Sequence, residues 1–117
     1  MKEQLSALLI ALKEGAVTFN EVIEFIADHY LHQPTAFKNG DFYNEATQNQ
    51  GSARVFAFAK IKNLTAADTL YLFAEHYRAV LATPAGTDHQ NIRQFMAHGW
   101  AGIAFEGEAL VSKLGQV

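Results

Sequence analysis

Cysteine is absent from this 117-residue chain. That excludes thiolate nucleophiles, disulfides and thiolate metal centres. Proline occurs only at Pro34 and Pro84, so its bias against helical geometry in the preceding residue acts at two places. No apolar run nears the roughly 20 residues that span a bilayer. The longest, Ala7 to Leu12, gives way to Lys13-Glu14-Gly15 instead of a small-residue cleavage site, so neither a signal peptide nor an anchor is expected. Positive charge is scarce: nine Lys and Arg stand against twelve Asp and Glu, for a net charge of −3. A broad phosphate-backbone interface needs a basic face, so nucleic acid is not an expected partner. The phosphate loop, dinucleotide fingerprint, metalloprotease helix and nucleophile elbow are all missing. Asp68 with Glu75, and Glu106 with Glu108, read as surface charges and not as a catalytic carboxylate pair.

What is present is apolar and aromatic. Half of the residues are hydrophobic, including nine Phe, four Tyr and one Trp, enough for a core built on large rings without metals or disulfides. The chain shows no linker and no repeat, and one domain over residues 1–117 is expected.

The patterning predicts an all-α fold of about five to six helices, with a long ordered loop and at most one short extended segment. Leu5, Leu8, Leu9 and Leu12 mark one helical face, stopped at Gly15. Thr18 and Glu21 form a capping box with Val17 and Val22 in staple positions, and Phe19, Val22, Ile23, Ile26 and Tyr30 follow along one face. Pro34 to Gly51 is the long loop, with a turn at Asn39-Gly40 and room for a helical turn over 42–46. Ser52 is placed to cap a buried helix through Val55-Phe56-Ala57-Phe58-Ala59, where three alanines favour helix over strand. Thr65 and Asp68 open another helix, in which Leu70, Phe73, Ala74, Tyr77, Val80 and Leu81 form a single stripe ended by Pro84 and Gly86. Thr87 and Gln90 offer a third capping box, leading to Ile92, Phe95 and Met96. Gly99 to Gly102 breaks that helix, Ile103 to Phe105 is extended, and a last short helix carries Leu110 and Leu114.

Polar side chains able to hold a ligand concentrate in three places. Pro84 to Arg93 packs Asp88, His89 and Arg93 around a helix start, where N–H groups favour an anion. The plain alternative is a capped helix with exposed polar residues. Asn49-Gln50-Gly51-Ser52-Ala53-Arg54 is a second such start, equally open to reading as a loop and cap. His76 sits at the border of an apolar stripe, beside Glu75 and Arg78, which are spaced to pair on the outer face. The candidate ligand-binding set is therefore Asn49, Ser52, Arg54, His76, Asp88, His89 and Arg93. His29 and His32 share a helical face but find no third ligand, so no metal site is expected. Their place near a helix end suits the dipole. No catalytic residue and no cofactor is assigned.

Several stretches together resemble the HopJ type III effector family. They are Phe19-x-x-Val22-Ile23, Pro34-Thr35-Ala36-Phe37-x-Asn39-Gly40, Asn49-x-Gly51-Ser52, Phe56-Ala57-Phe58-Ala59, Pro84-x-Gly86-x-Asp88-His89-x-Asn91-Ile92-Arg93-x-Phe95-Met96 and Gly99-Trp100-x-Gly102-Ile103. The resemblance implies a small helical protein related to effectors that plant-pathogenic bacteria inject into host cells. It carries over no established mechanism or catalytic residues. Injected effectors usually begin with a polar, Ser-rich leader, whereas here a helical pattern starts by Leu5. The expected location is accordingly the bacterial cytoplasm, with type III secretion into a host cell as the alternative. The expected function is a binding or interaction domain with a host or bacterial protein partner, using an aromatic patch at Phe37, Phe42 and Trp100. The alternative is a small-molecule binder or enzyme with a polar pocket around His89 and Arg93 for a small anionic ligand.

Overall fold

The computed structural model describes residues 1–113. Its order is α1 (Lys2–Lys13), α2 (Phe19–Ala27), β1 (Tyr30–His32), β2 (Phe37–Asn39), β3 (Phe42–Asn44), α3 (Gln50–Ile61), α4 (Ala66–Tyr71), α5 (Glu75–Ala82), α6 (Gln90–His98), a 3-10 turn (Gly99–Gly102), β4 (Ile103–Phe105) and β5 (Leu110–Ser112). The all-α expectation is corrected to a mixed α/β fold. Six helices are joined by two small antiparallel sheets, β1–β5 and β3–β2–β4. Every strand is three residues long, too short for the alternating pattern that betrays a strand.

The segment Tyr30–His32 shows how such strands escape notice. It continues the apolar spacing of α2, yet that helix ends at Ala27 and Tyr30 pairs with Ser112 across the sheet. The last helix expected around Leu110 is strand β5 instead, and Leu114 lies outside the described residues. Within the long loop, Phe37–Asn39 and Phe42–Asn44 form a hairpin rather than a helical turn. Gly40 leads its two-residue turn with φ +60°, the left-handed geometry that tight hairpins require. β4 is the extended segment anticipated at Ile103–Phe105, and it pairs with β2.

The capping box at Thr18 and Glu21 is formed in both directions, and the Thr65 hydroxyl accepts from the Asp68 N–H at 3.1 Å. Three other boundaries differ from the sequence reading. Helix α3 starts at Gln50 after Asn49, with φ 51°, so Ser52 lies inside it and is not its cap. Helix α6 starts after His89, with φ 50°, and Gln90 turns back to donate to the Thr87 carbonyl at 2.6 Å. The stripe from Leu70 to Leu81 is two helices. The chain turns at Ala74, with φ 52° and ψ −123°, because Leu72, Phe73 and Ala74 all enter the core and one straight helix cannot aim three consecutive residues inward.

Helix α3 runs through the centre. Val55, Phe56, Phe58 and Ala59 are fully buried on it. Phe56 is the hub: its ring meets Phe37, Phe73, Phe95 and Trp100 at centroid distances of 4.9 to 6.4 Å. Those contacts tie β2, the α4–α5 bend, α6 and the 3-10 turn to one core, and so fix the N-termini of α3, α5 and α6 relative to each other.

Candidate functional site

Those fixed ends enclose a cleft of about 510 Å³, within the size range of small-ligand pockets. It is lined by Phe19 from α2, Phe42 from β3, Asn49, Gly51 and Ser52 at the start of α3, Phe73 and His76 around the Ala74 bend, and Thr87 to Ile92 at the start of α6. Of the seven residues singled out by sequence, five come together here: Asn49, Ser52, His76, Asp88 and His89. Arg54 and Arg93 are not among its walls.

The exclusion of Arg93 has a clear cause. Its side chain is only 12% exposed and folds back on the preceding loop. Nη1 donates to the Thr83 carbonyl at 2.8 Å, Nε to the Asp88 carbonyl at 2.6 Å, and Nη2 to the Asp88 carboxylate at 2.7 Å. Gly86 makes room for this: a Cβ there would lie 2.6 Å from Nη2. Arg93 therefore shapes the wall that carries Asp88 and His89. Its hydrogen bond, with its charge and that of His89, holds the Asp88 carboxyl below the ordinary aspartate range. Arg54 is likewise engaged locally, donating to the Gln50 carbonyl one turn back on α3.

Two imidazoles face each other at the cleft. The His76 and His89 rings are 5.1 Å apart, and Phe19 meets His76 edge-on at 5.0 Å. Neither ring has a hydrogen bond to the protein among the described residues; His89 comes no closer to Asp88 than 3.9 Å. Of the other three histidines, His29 bonds the Phe25 carbonyl, His32 bonds Gln50, and His98 stands 3.9 Å from the Asp41 carboxylate away from the cleft. Burial, aided by nearby Arg54, lowers the His32 pKa against the opposing effect of that bond. Glu75 does not form the anticipated pair with Arg78. Its carboxylate accepts the N–H of Phe19 at 2.7 Å and closes the N-terminus of α2.

Sequence reasoning missed what stands behind the cleft. Asn39, Asn44 and Asn91 are buried and bond one another across β2, β3 and α6. Asn39 donates to Asn91 at its carbonyl (2.7 Å) and Oδ1 (3.1 Å), while Asn44 and Asn91 exchange amide bonds at 3.1 and 2.9 Å. Asn49 joins them, donating to Asn44 Oδ1 at 2.8 Å. The only sequence signal was an unusual density of Asn near apolar residues, which reads equally well as turn chemistry.

The aromatic patch expected at Phe37, Phe42 and Trp100 does not exist as one surface. Phe37 is fully buried. Trp100 packs on Phe56 and Phe95 and donates to the Leu64 carbonyl at 3.1 Å. No helix among the described residues is long and apolar enough to cross a membrane. Among them, no group of three or more His, Asp or Glu could hold a metal ion.

Comparison with known proteins bears on most of the chain. No curated protein matches it. The crystal structure of VPA0580, a protein of unknown function, is similar with a TM-score of 0.84 and 41% identity, covering 92% of this chain and 92% of that one. Residues 5–110 match the HopJ type III effector protein family. With that match running from α1 into β5, this chain belongs to the HopJ type III effector protein family.

Proposed function

We propose that this protein binds a small anionic molecule in the cleft between the starts of α3 and α6. The observation that carries the reading is the pair of imidazoles, His76 in the first turn of α5 and His89 just before α6, brought face to face and left without protein hydrogen-bond partners among the described residues. Two further features support it. Of the three helices that start at the cleft, α5 carries an acid in its first turn, Glu75, which is turned onto the Phe19 N–H, whereas α3 and α6 carry none. Neither is closed by a side-chain cap, so their N–H groups and dipoles suit a negative group. Asp88 does not cancel this, since Arg93 already neutralises it.

Thermal unfolding against a panel of phosphate, sulfate and small carboxylates tests the reading, followed by NMR of the histidine rings. A ligand at a hundred times its dissociation constant adds about 2.7 kcal/mol. The stabilisation should disappear in His76→Ala and His89→Ala, and the ligand should shift both imidazole signals. An anion that stabilises both variants as well as the wild type would count against the cleft. Silence from every anion would end the proposal.

Delivery into a host cell, where the chain would meet a protein partner, is a second reading, favoured by the family match over residues 5–110. Fusion to a reporter active only in host cytosol tests it. Signal from a secretion-competent strain that is absent from an apparatus mutant is the expected result; equal silence in both would refute it.

A further inference from the structure

The cleft is as aromatic as it is polar. Phe73 stacks on Phe19 at 6.0 Å with an interplanar angle of 11°, Phe19 meets His76, and His76 meets His89. These four rings make a continuous series along the cleft. Phe42 is different. It is half-buried on β3, opposite Asn39 in the hairpin. It lines the cleft, yet it stands outside the hydrophobic core cluster and the residues packed on it. It pairs with no other ring among the described residues. Core packing therefore does not explain why a phenyl ring is held there. A free aromatic face in a pocket is suited to a flat partner.

The polar groups nearby have matching capacity. Asn49 commits its amide nitrogen to Asn44, and its Oδ1 has no protein donor among the described residues. The hydroxyls of Ser52 and Thr87 likewise have no protein partner there. These acceptors and donors can read the edge of a heterocycle or a sugar.

We infer that the anionic ligand of this cleft carries a planar heteroaromatic ring, as a nucleoside monophosphate does. The ring stacks on Phe42, and the phosphate lies toward His89 and the starts of α3 and α6. The inference rests on the anion-binding reading above. A single nucleotide fits better than a polynucleotide, because a chain of net charge −3 offers no basic track for a phosphate backbone.

Calorimetric titration of the full chain decides it, using the four ribonucleoside monophosphates, their nucleosides, ribose 5-phosphate and inorganic phosphate. Stacking of one base is worth a factor of about 5 to 150. At least one monophosphate should therefore bind roughly tenfold or more tightly than ribose 5-phosphate. Phe42→Ala should bring that monophosphate down to the ribose 5-phosphate level and leave ribose 5-phosphate itself unchanged. Phe42→Leu keeps the apolar bulk without the aromatic face and should show the same loss, which separates stacking from misfolding. If ribose 5-phosphate or inorganic phosphate binds as tightly as every monophosphate, the ring is not recognised; the inference falls and the anion-binding reading stands. If nucleosides bind as tightly as their monophosphates, the anionic group is not recognised and both fall. If nothing binds, the inference falls, and the sulfate and carboxylates of the thermal panel decide the anion-binding reading.

Discussion

At the scale of single residues, Arg93 shows how a ligand-like motif can be scaffolding. Its guanidinium satisfies two carbonyls and a carboxylate of the loop from Thr83 to Asp88. Removing it leaves those groups to water and frees the wall that carries His89. Arg93→Ala should cost about 1–2 kcal/mol, chiefly through the Thr83 contacts, since hydrogen bonds to a charged donor are worth more than neutral ones but part of this loop is solvated. Gly86→Ala should cost a similar amount, because its Cβ would displace the same guanidinium. The two losses should not add. A double-mutant cycle by urea unfolding is expected to show the double variant more stable than the sum of the singles by at least about 0.5 kcal/mol. Strict additivity would show that Gly86 serves something other than Arg93.

At the scale of elements, the Asn39–Asn44–Asn91 network holds the β2–β3 hairpin on α6 and, through Asn49, aligns the start of α3. Asn44→Ala removes the acceptor for both Asn49 and Asn91 and should cost about 2–3 kcal/mol, chiefly the penalty of stranding the buried Asn91 amide. Chemical denaturation measures it, and a loss under about 1 kcal/mol would mean that the network does not couple these elements. The bend at Ala74 makes an opposite prediction. Its φ of 52° with ψ −123° strains a residue with a Cβ by about 1–3 kcal/mol. Ala74→Gly relieves that strain while losing a buried methyl and raising chain entropy, so stability should stay within about 1 kcal/mol of the wild type. Ala59→Gly, fully buried in the last turn of α3, has no strain to relieve and should cost more, about 1–2 kcal/mol. The same bend shows what the sequence could and could not say. The apolar stripe from Leu70 to Leu81 was visible, but the break depends on which core faces those residues meet, and that is tertiary information. The box at Thr18 and Glu21 was legible because both halves of it are local. The strands were not, since three residues carry no period. Five of the seven candidate site residues met in one cleft because helix starts collect polar groups, and three helices happen to start there. Arg54 and Arg93 lie outside the cleft's walls because a long side chain can turn back onto its own backbone as readily as outward.

At the scale of the whole molecule, three ionisable groups act in the same direction with pH. His32 lies below the ordinary histidine value of 6.5, mainly because burial disfavours its charge. Asp88 lies below the ordinary aspartate value of 3.8 through Arg93. Glu75 lies below the ordinary glutamate value of 4.5: burial pushes it up, but the N–H groups that it accepts and the nearby positive charges outweigh burial. Each group has a folded pKa below its unfolded one, so the unfolded chain binds more protons as the solution is acidified, and stability must fall with pH. Two stages are expected. The first begins as pH drops below 6.5, where unfolded His32 takes up a proton that the folded ring resists. The second begins below 4.5, where unfolded Glu75 and then Asp88 are protonated while their folded forms stay charged. Calorimetric melting from pH 8 to pH 3 should show a plateau at neutral pH and two successive declines. His32→Gln keeps a polar side chain beside Gln50 without a titrating ring and should flatten the first decline. Asp88→Asn should reduce the second and leave the first untouched. A melting temperature that rose on acidification from pH 7 to pH 5.5 would reverse the sign required by a half-buried His32 whose pKa lies below its ordinary value, and would place its charged form in the folded state.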